Sequence, residues 1–320
     1  MHDWQPSTSL GMLQHRAELL AALRNFFFQH GVREVDVPIL GRFTVTDSNI
    51  ESISAIVFKD IGYLQTSPEY FMKRLLAAGS GDIYCLGKAF RDDEVGQRHN
   101  PEFTMLEWYR CNWDEHQLID EVSELISQIY TANGHPSLAI HKTTYAEIFA
   151  QVLGIDPHAA ELDELQKLAV AASSDSWASE TRANCLDLLF SVRVEPQLPK
   201  GLAFIYDYPA CQSALAQADV NIDGYRVSRR FEAFLNGMEL ANGYFELRDL
   251  AEQGRRFDQD LKHRAAFNKP LIPVDKYLMV ALGKGLPSCA GVALGVDRLL
   301  MQLQGAGSIA EVLPFSWDRC

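Results

Sequence analysis

The sequence predicts an α+β fold, an antiparallel sheet with helices segregated around it and a small helical insertion. Two observations carry that reading. Alternating, β-rich runs occur at residues 83–90 and 103–110, and again at 204–208 and 231–241. Between these pairs, residues 143–200 switch to short helical periods.

Taken in order, residues 12–30 place Leu13, Ala17, Leu20, Leu23 and Phe27 at three- and four-residue spacing, and Gly31 is a natural helix stop. Val35 and Val37 alternate with charged residues as a strand, and Pro38 puts it at an edge or end of the sheet. A short strand at 63–66 runs into Ser67-Pro68-Glu69, with Ser67 expected as N-cap and Pro68 as the first helical residue. The helix at 69–78 is closed by Gly79, and a polar loop at 92–102 joins the first two long strands. Thr144 with Glu147 forms a capping box that opens the insertion, followed by helices at 161–172 and 179–192. A helix at about 249–266 and a strand–helix unit at 291–304 complete the chain.

The 320 residues are 47% apolar and 22% charged, enough for a sizeable core and against disorder. No uncharged apolar run approaches the ~18 residues of a membrane span. The start carries Asp3 and no apolar signal region, so a cytoplasmic location is expected. The net charge of -13, from 29 basic and 42 acidic residues, weighs lightly against a long nucleic acid as partner. Six scattered cysteines with no C-x-x-C pair support neither a zinc knuckle nor a redox couple.

Four segments can carry chemistry. In Phe90-Arg91-Asp92-Asp93-Glu94 … Arg98-His99-Asn100-Pro101-Glu102-Phe103, arginine forks suit phosphate oxygens and Phe103 can stack on a purine. A solvated hairpin loop has the same composition. Period two then puts Glu107 and Tyr109 on one face with Phe103, and Leu106 and Trp108 on the other. This describes ligand readout or equally a half-solvated sheet. Asn236-Gly237 marks a type I′ hairpin in which Phe234 faces Glu239 and Glu232 faces Ala241. Glu232 and Glu239 then share a face, as a Mg²⁺ site or as a polar surface, and Glu246 adds an acid. Finally, Gly291, Ala293 and Gly295 leave one strand face bare for a flat ligand, and Arg298 opens the next helix. No P-loop or Rossmann glycine motif is present, so a nucleotide would be held by other means.

The first helix with its strand and Pro38, then the FRxx…HNPEF hairpin, then the small-residue strand ending in Arg298 resemble the three motifs of class II aminoacyl-tRNA synthetases, over nearly the whole chain. The nearest likeness is to the lysyl branch, through HNPEFTMLEWY, GMELANGYFEL and GVALGVDR. Ser67 and Ala293 stand where lysyl enzymes have alanine and glycine, and the core begins near residue 10, without a preceding anticodon-binding domain. These departures resemble the truncated elongation factor P–lysine ligase family. Asp93 stands where that motif has glutamate.

The resemblance implies a class II catalytic domain at residues 10–320, with the insertion at 143–200, acting as a homodimer. It implies ATP contacts from Arg91, Asp92, Asp93, His99, Asn100, Phe103, Glu239, Leu240, Gly295 and Arg298, with Arg91 and Arg298 catalytic. It implies Mg²⁺ at Glu232 and Glu239. The amino acid, (R)-β-lysine or lysine, would meet Glu246 and Tyr109 at its ε-ammonium, and Glu107 with Ser67, Pro68 and Glu69 at its other amine, beside Ala293. Elongation factor P would be the acceptor, rather than tRNA. A truncated lysine–tRNA ligase and a catalytically silent amino-acid-binding regulator are the alternatives.

Overall fold

A computed structural model of the chain describes residues 4–92 and 95–320, so Asp93 lies outside the described residues. Helix α1 (Leu10–Gln29) precedes β1 (Arg33–Glu34), β2 (Leu40–Gly41), β3 (Ser54–Val57) and β4 (Asp60–Leu64). Next come α2 (Glu69–Ala77), β5 (Ile83–Phe90), β6 (Glu102–Cys111), α3 (Glu115–Ala132) and β7 (Ile140–Thr144). Helices α4 (Tyr145–Leu153), α5 (Leu162–Ala172) and α6 (Arg182–Leu189) lead to β8 (Leu202–Pro209), β9 (Ala218–Val220), β10 (Arg226–Leu235) and β11 (Met238–Phe245). Then follow α7 (Leu250–Ala266), α8 (Lys276–Lys284), β12 (Cys289–Gly295) and α9 (Val296–Gln304).

The main sheet runs β1-β5-β6-β12-β11-β10-β8-β7, with β9 added to β10, and β2, β4 and β3 form a small second sheet. Its middle is antiparallel, and only the end pairs β1–β5 and β7–β8 are parallel. The α+β prediction holds.

One face of the sheet, through Leu106, Trp108, Val292, Leu294, Phe231 and Phe204, packs on α1, α3 and α9. Buried Glu121 of α3 accepts from Trp108 Nε1 and Arg110 Nε, both at 2.9 Å. Arg16 of α1 donates to Asp297 Oδ1 and Thr104 Oγ1 at 2.6 Å, fixing the start of α9 against β6. The opposite face is covered at its two ends. Helices α4–α6 pack on β8 and β10 at one end, and α2, α7 and α8 on β5 and β6 at the other.

Three local expectations need correction. Val35 and Val37, expected as a strand, lie outside any strand; β1 is Arg33–Glu34 just before them, paired in parallel with β5 at the sheet edge. Ser67 does not cap α2. Pro68 takes the cap position at φ −77° and ψ −1°, with no side-chain cap bond. Asn236 and Gly237 do form the left-handed turn, at φ 53° and 82°, and Phe234 faces Glu239. An extra residue at Leu240 then shifts the register, so Glu232 faces Asn242 rather than Ala241. Helix α3, not among the elements expected from the sequence, has a signal of its own: Asp114 and Gln117 close a full capping box before its apolar stripe.

Gly243 shows how tightly the helix-covered face is packed, since a Cβ there would lie 2.4 Å from the Phe231 ring and 3.1 Å from Gly291 O. Gly243→Ala is therefore expected to cost about 1–3 kcal/mol in urea unfolding. An unchanged midpoint would contradict this packing.

Candidate active site

The uncovered middle of the second face is a cavity of about 410 Å³. Its floor is β12. Cross-strand pairing sets Gly291 between Tyr109 and Tyr244, Ala293 between Glu107 and Asn242, and Gly295 beside Met105. The small side chains thus form a trough walled by β6 and β11. A Cβ at Gly291 would come within 2.3 Å of the Tyr109 ring and 2.6 Å of Glu246 Oε1, so this glycine makes room for the pocket wall. At Gly295 the nearest atom would be 3.7 Å away, an ordinary van der Waals contact, so a small side chain there would meet no clash.

One end of the cavity is acidic. Glu69 at the start of α2, Glu107 on β6 and Glu246 just past β11 all line it. Tyr109 Oη donates to Glu107 Oε1 at 2.7 Å, while Glu107 Oε2 and Glu246 Oε1 are buried without a hydrogen-bond donor among the described residues. Behind them lies Lys73, with Nζ 2.5 Å from Glu69 Oε1 and 2.7 Å from Glu246 Oε2. Burial, with repulsion from Glu69 and Glu246, pushes Glu107 up to about 8. Burial likewise pushes Glu246 up to about 7 against the opposing pull of Lys73. Burial alone would lower Lys73, but Glu246 and Glu69 outweigh it and hold the ammonium well above its ordinary range.

The other end is basic. Arg91, Arg98, His99 and Arg298 line it with Phe103 and Asn100. The Arg91 guanidinium lies 5.3 Å from the Phe103 ring centroid, a cation–π contact that orients the fork. Arg298 Nη2 donates to His99 Nε2 at 2.6 Å, and its Nη1 donates to the Glu239 carbonyl at 3.0 Å. Asn100 spends its amide inside the chain, donating to Glu102 O and accepting from Trp317 N.

The cavity gathers Ser67, Glu69, Arg91, His99, Asn100, Phe103, Glu107, Tyr109, Glu239, Leu240, Glu246, Ala293, Gly295 and Arg298. Pro68 and Glu232 stand behind its wall, and Asp92 is exposed, with its backbone N–H donating to Glu51 O at 2.9 Å. Glu232 shares a face with Glu239, but its Oε1 accepts from Arg230 and, at 3.4 Å, from Asn242. Burial, opposed by Arg230, pushes Glu232 up to about 7. No cluster of three or more candidate metal ligands exists among the described residues. Glu239 is the carboxylate that reaches the cavity, with a side chain 42% exposed, and one or two such groups suffice for a Mg²⁺ that also holds phosphates. Glu239, whose Oε2 also lies 3.5 Å from Arg298 Nη1, could therefore supply one carboxylate to a Mg²⁺ held mainly by phosphates.

Lys73, Arg230 and Asn242 were not anticipated. Lys73 had a readable signal: it shares a helical stripe with Glu69, Met72 and Leu76, of which Met72 and Leu76 are core residues. Read alone, Glu69 and Lys73 make an ordinary surface pair at i,i+4.

Comparison with known proteins bears on the family of the chain. The sequence model of the family described as tRNA synthetases class II (D, K and N) matches residues 3–319. The chain is 46% identical to a protein of Photorhabdus laumondii, covering 98% of this chain and 97% of that one. It is 43% identical to proteins of Hamiltonella defensa and Edwardsiella ictaluri, again over at least 98% of each chain. All three relatives are named elongation factor P–(R)-β-lysine ligase, which bears out the resemblance drawn from the motifs. With its motifs assembled around one cavity and a match over almost its full length, the chain belongs to the class II tRNA synthetase family of the D, K and N type.

Proposed function

We propose that this chain is an ATP-dependent ligase that activates (R)-β-lysine, or lysine, as an aminoacyl-adenylate and transfers it to a lysine ε-amino group of elongation factor P. One observation carries the reading: a single trough joins a buried acid cluster to a basic, aromatic end. Glu69, Glu107 and Glu246 against Lys73 leave two negative charges when all are ionised, the complement of two ammonium groups. The substrate carboxylate would then point along β12 toward Arg91.

The chemistry needs no nucleophilic side chain. A carboxylate oxygen of the amino acid bonds to the α-phosphorus of ATP as the bond from that phosphorus to pyrophosphate breaks. Arg91 would stabilise charge on the α-phosphate, and His99 with Arg298 would stabilise it on the departing pyrophosphate. Mg²⁺ held by Glu239, with Glu232 behind it, would neutralise phosphate charge. The acceptor amine then attacks the acyl carbon, AMP leaves, and the amine gives up its proton. The acidic balance of -13 and the lack of a basic cluster at 143–200 favour a protein acceptor over tRNA. We place the reaction in the cytoplasm, with α1 and the segment after it as the surface of a homodimer; Phe28 on α1 is exposed.

A side-by-side assay with labelled amino acid, elongation factor P and lysine tRNA tests the acceptor. Label is expected on the protein. Efficient label on tRNA with none on the protein would overturn the acceptor while leaving adenylation intact.

Ala293 tests the amino-acid choice. Its methyl group stands on the floor between Glu107 and Asn242. A methyl-sized change is worth roughly 10- to 200-fold in discrimination. The unaltered protein should prefer (R)-β-lysine over lysine in ATP–pyrophosphate exchange, and Ala293→Gly should shift kcat/KM toward lysine. Equal kcat/KM for both amino acids in the unaltered protein would refute this.

A further inference from the structure

We propose that Lys73 is a positioning residue that, from behind the cavity wall, holds the carboxylates of Glu69 and Glu246 side by side for the cationic ends of the amino acid. This rests on the amino-acid reading of the acidic end. Lys73 is not among the residues that line the cavity, yet its side chain is 3% exposed and its ammonium lies against both carboxylates. Glu69 comes from the first turn of α2, and Glu246 from beyond β11, where its N–H donates to Cys289 O at 3.0 Å. The ammonium therefore links two walls from separate parts of the chain. It approaches Glu246 at Oε2, while Oε1 is left without a donor on the cavity side of Gly291.

A buried carboxylate with no cation beside it takes up a proton. It then becomes a poor acceptor for an ammonium ion, and binding must first expel the proton. The groups that face this cluster are mostly acids and phenols. Glu69 and Tyr70 come from α2, Glu107 and Tyr109 from β6, and Tyr244 and Glu246 from β11 and its end. Cys289 of β12 faces the same pair, and Arg248, Asp260 and Asp275 act from the periphery. Lys73 supplies the cation in direct contact, so Glu246 gives up its proton to an arriving ammonium more readily than burial alone would allow.

The test compares the unaltered protein with Lys73→Met, similar in length but uncharged, and with Lys73→Arg. Pyrophosphate exchange with (R)-β-lysine is followed from pH 6 to 9, alongside the melting temperature of the protein without amino acid. In Lys73→Met the inflection of log kcat/KM for the amino acid should move up by at least one pH unit. For an inflection near 7 that is a loss of at least about fivefold at pH 7 that recovers as pH rises, with kcat at saturation and KM for ATP within about threefold. Lys73→Arg should return the inflection toward its original place.

The melting series needs no substrate. Carboxylates with raised pKa keep protons that the unfolded chain has already released, so stability falls as pH rises until they ionise. The stability gap between the unaltered protein and Lys73→Met should therefore widen with pH. An unshifted inflection with a constant melting gap would reduce Lys73 to a structural ion pair and overturn the proposal. Absence of exchange with either amino acid in the unaltered protein would instead sink the substrate reading, and the melting series would still decide the role of Lys73.

Discussion

The site depends on the constraint that β12 must stay bare on one face. It is a central strand, bonded on both sides, and its inward row is Gly291, Ala293 and Gly295. Larger residues in that row would fill the trough with side chains, as the 2.3 Å approach at Gly291 shows. The opposite row, Val292 and Leu294, belongs to the main core. One strand thus anchors the fold with one set of side chains and opens the active site with the other. Its C-terminal end also delivers Arg298, because α9 begins at Val296 and buried Asp297 is locked to Arg16 and to the Thr104 backbone N–H.

The trough separates charge along its length. Three carboxylates on different strands and helices meet at one end, where burial raises the pKa of Glu107 and Glu246. Arginines meet at the other, where Phe103 and His99 fix their direction. A zwitterionic amino acid with an extra ammonium fits that gradient in one orientation only. Positioning by fixed charges is the main source of rate in displacement at phosphorus, so on the proposed function the gradient that would select the substrate would also aim its carboxylate.

Much of this was legible in the sequence because period two speaks directly about faces. Phe103, Glu107 and Tyr109 do share the cavity face, while Leu106 and Trp108 enter the core. The Asn236-Gly237 turn fixed its own geometry, but not the extra residue at Leu240, since a bulge leaves no composition signal of its own. Lys73 was hidden for another reason. A Glu–Lys pair four residues apart is a common surface pattern, and only the tertiary approach of Glu246 buries it. Helix α3 was legible and unread, while Arg230 and Asn242 became visible only once the register across β10, β11 and β12 was known.

The central claim is that a cationic amino acid is recognised by charging buried carboxylates. Calorimetric titration in buffers of different ionisation enthalpy measures this directly. Near pH 7, (R)-β-lysine should bind with net proton release, since Glu107 at about 8 and Glu246 at about 7 still hold protons there. The release should shrink toward zero by pH 9, and norleucine, whose chain ends in a methyl group instead of an ammonium, should bind far more weakly and release fewer protons, since it lacks the partner of Glu246. Binding of norleucine as tight as that of the diamino acid, or a proton count of zero at pH 7, would contradict the account.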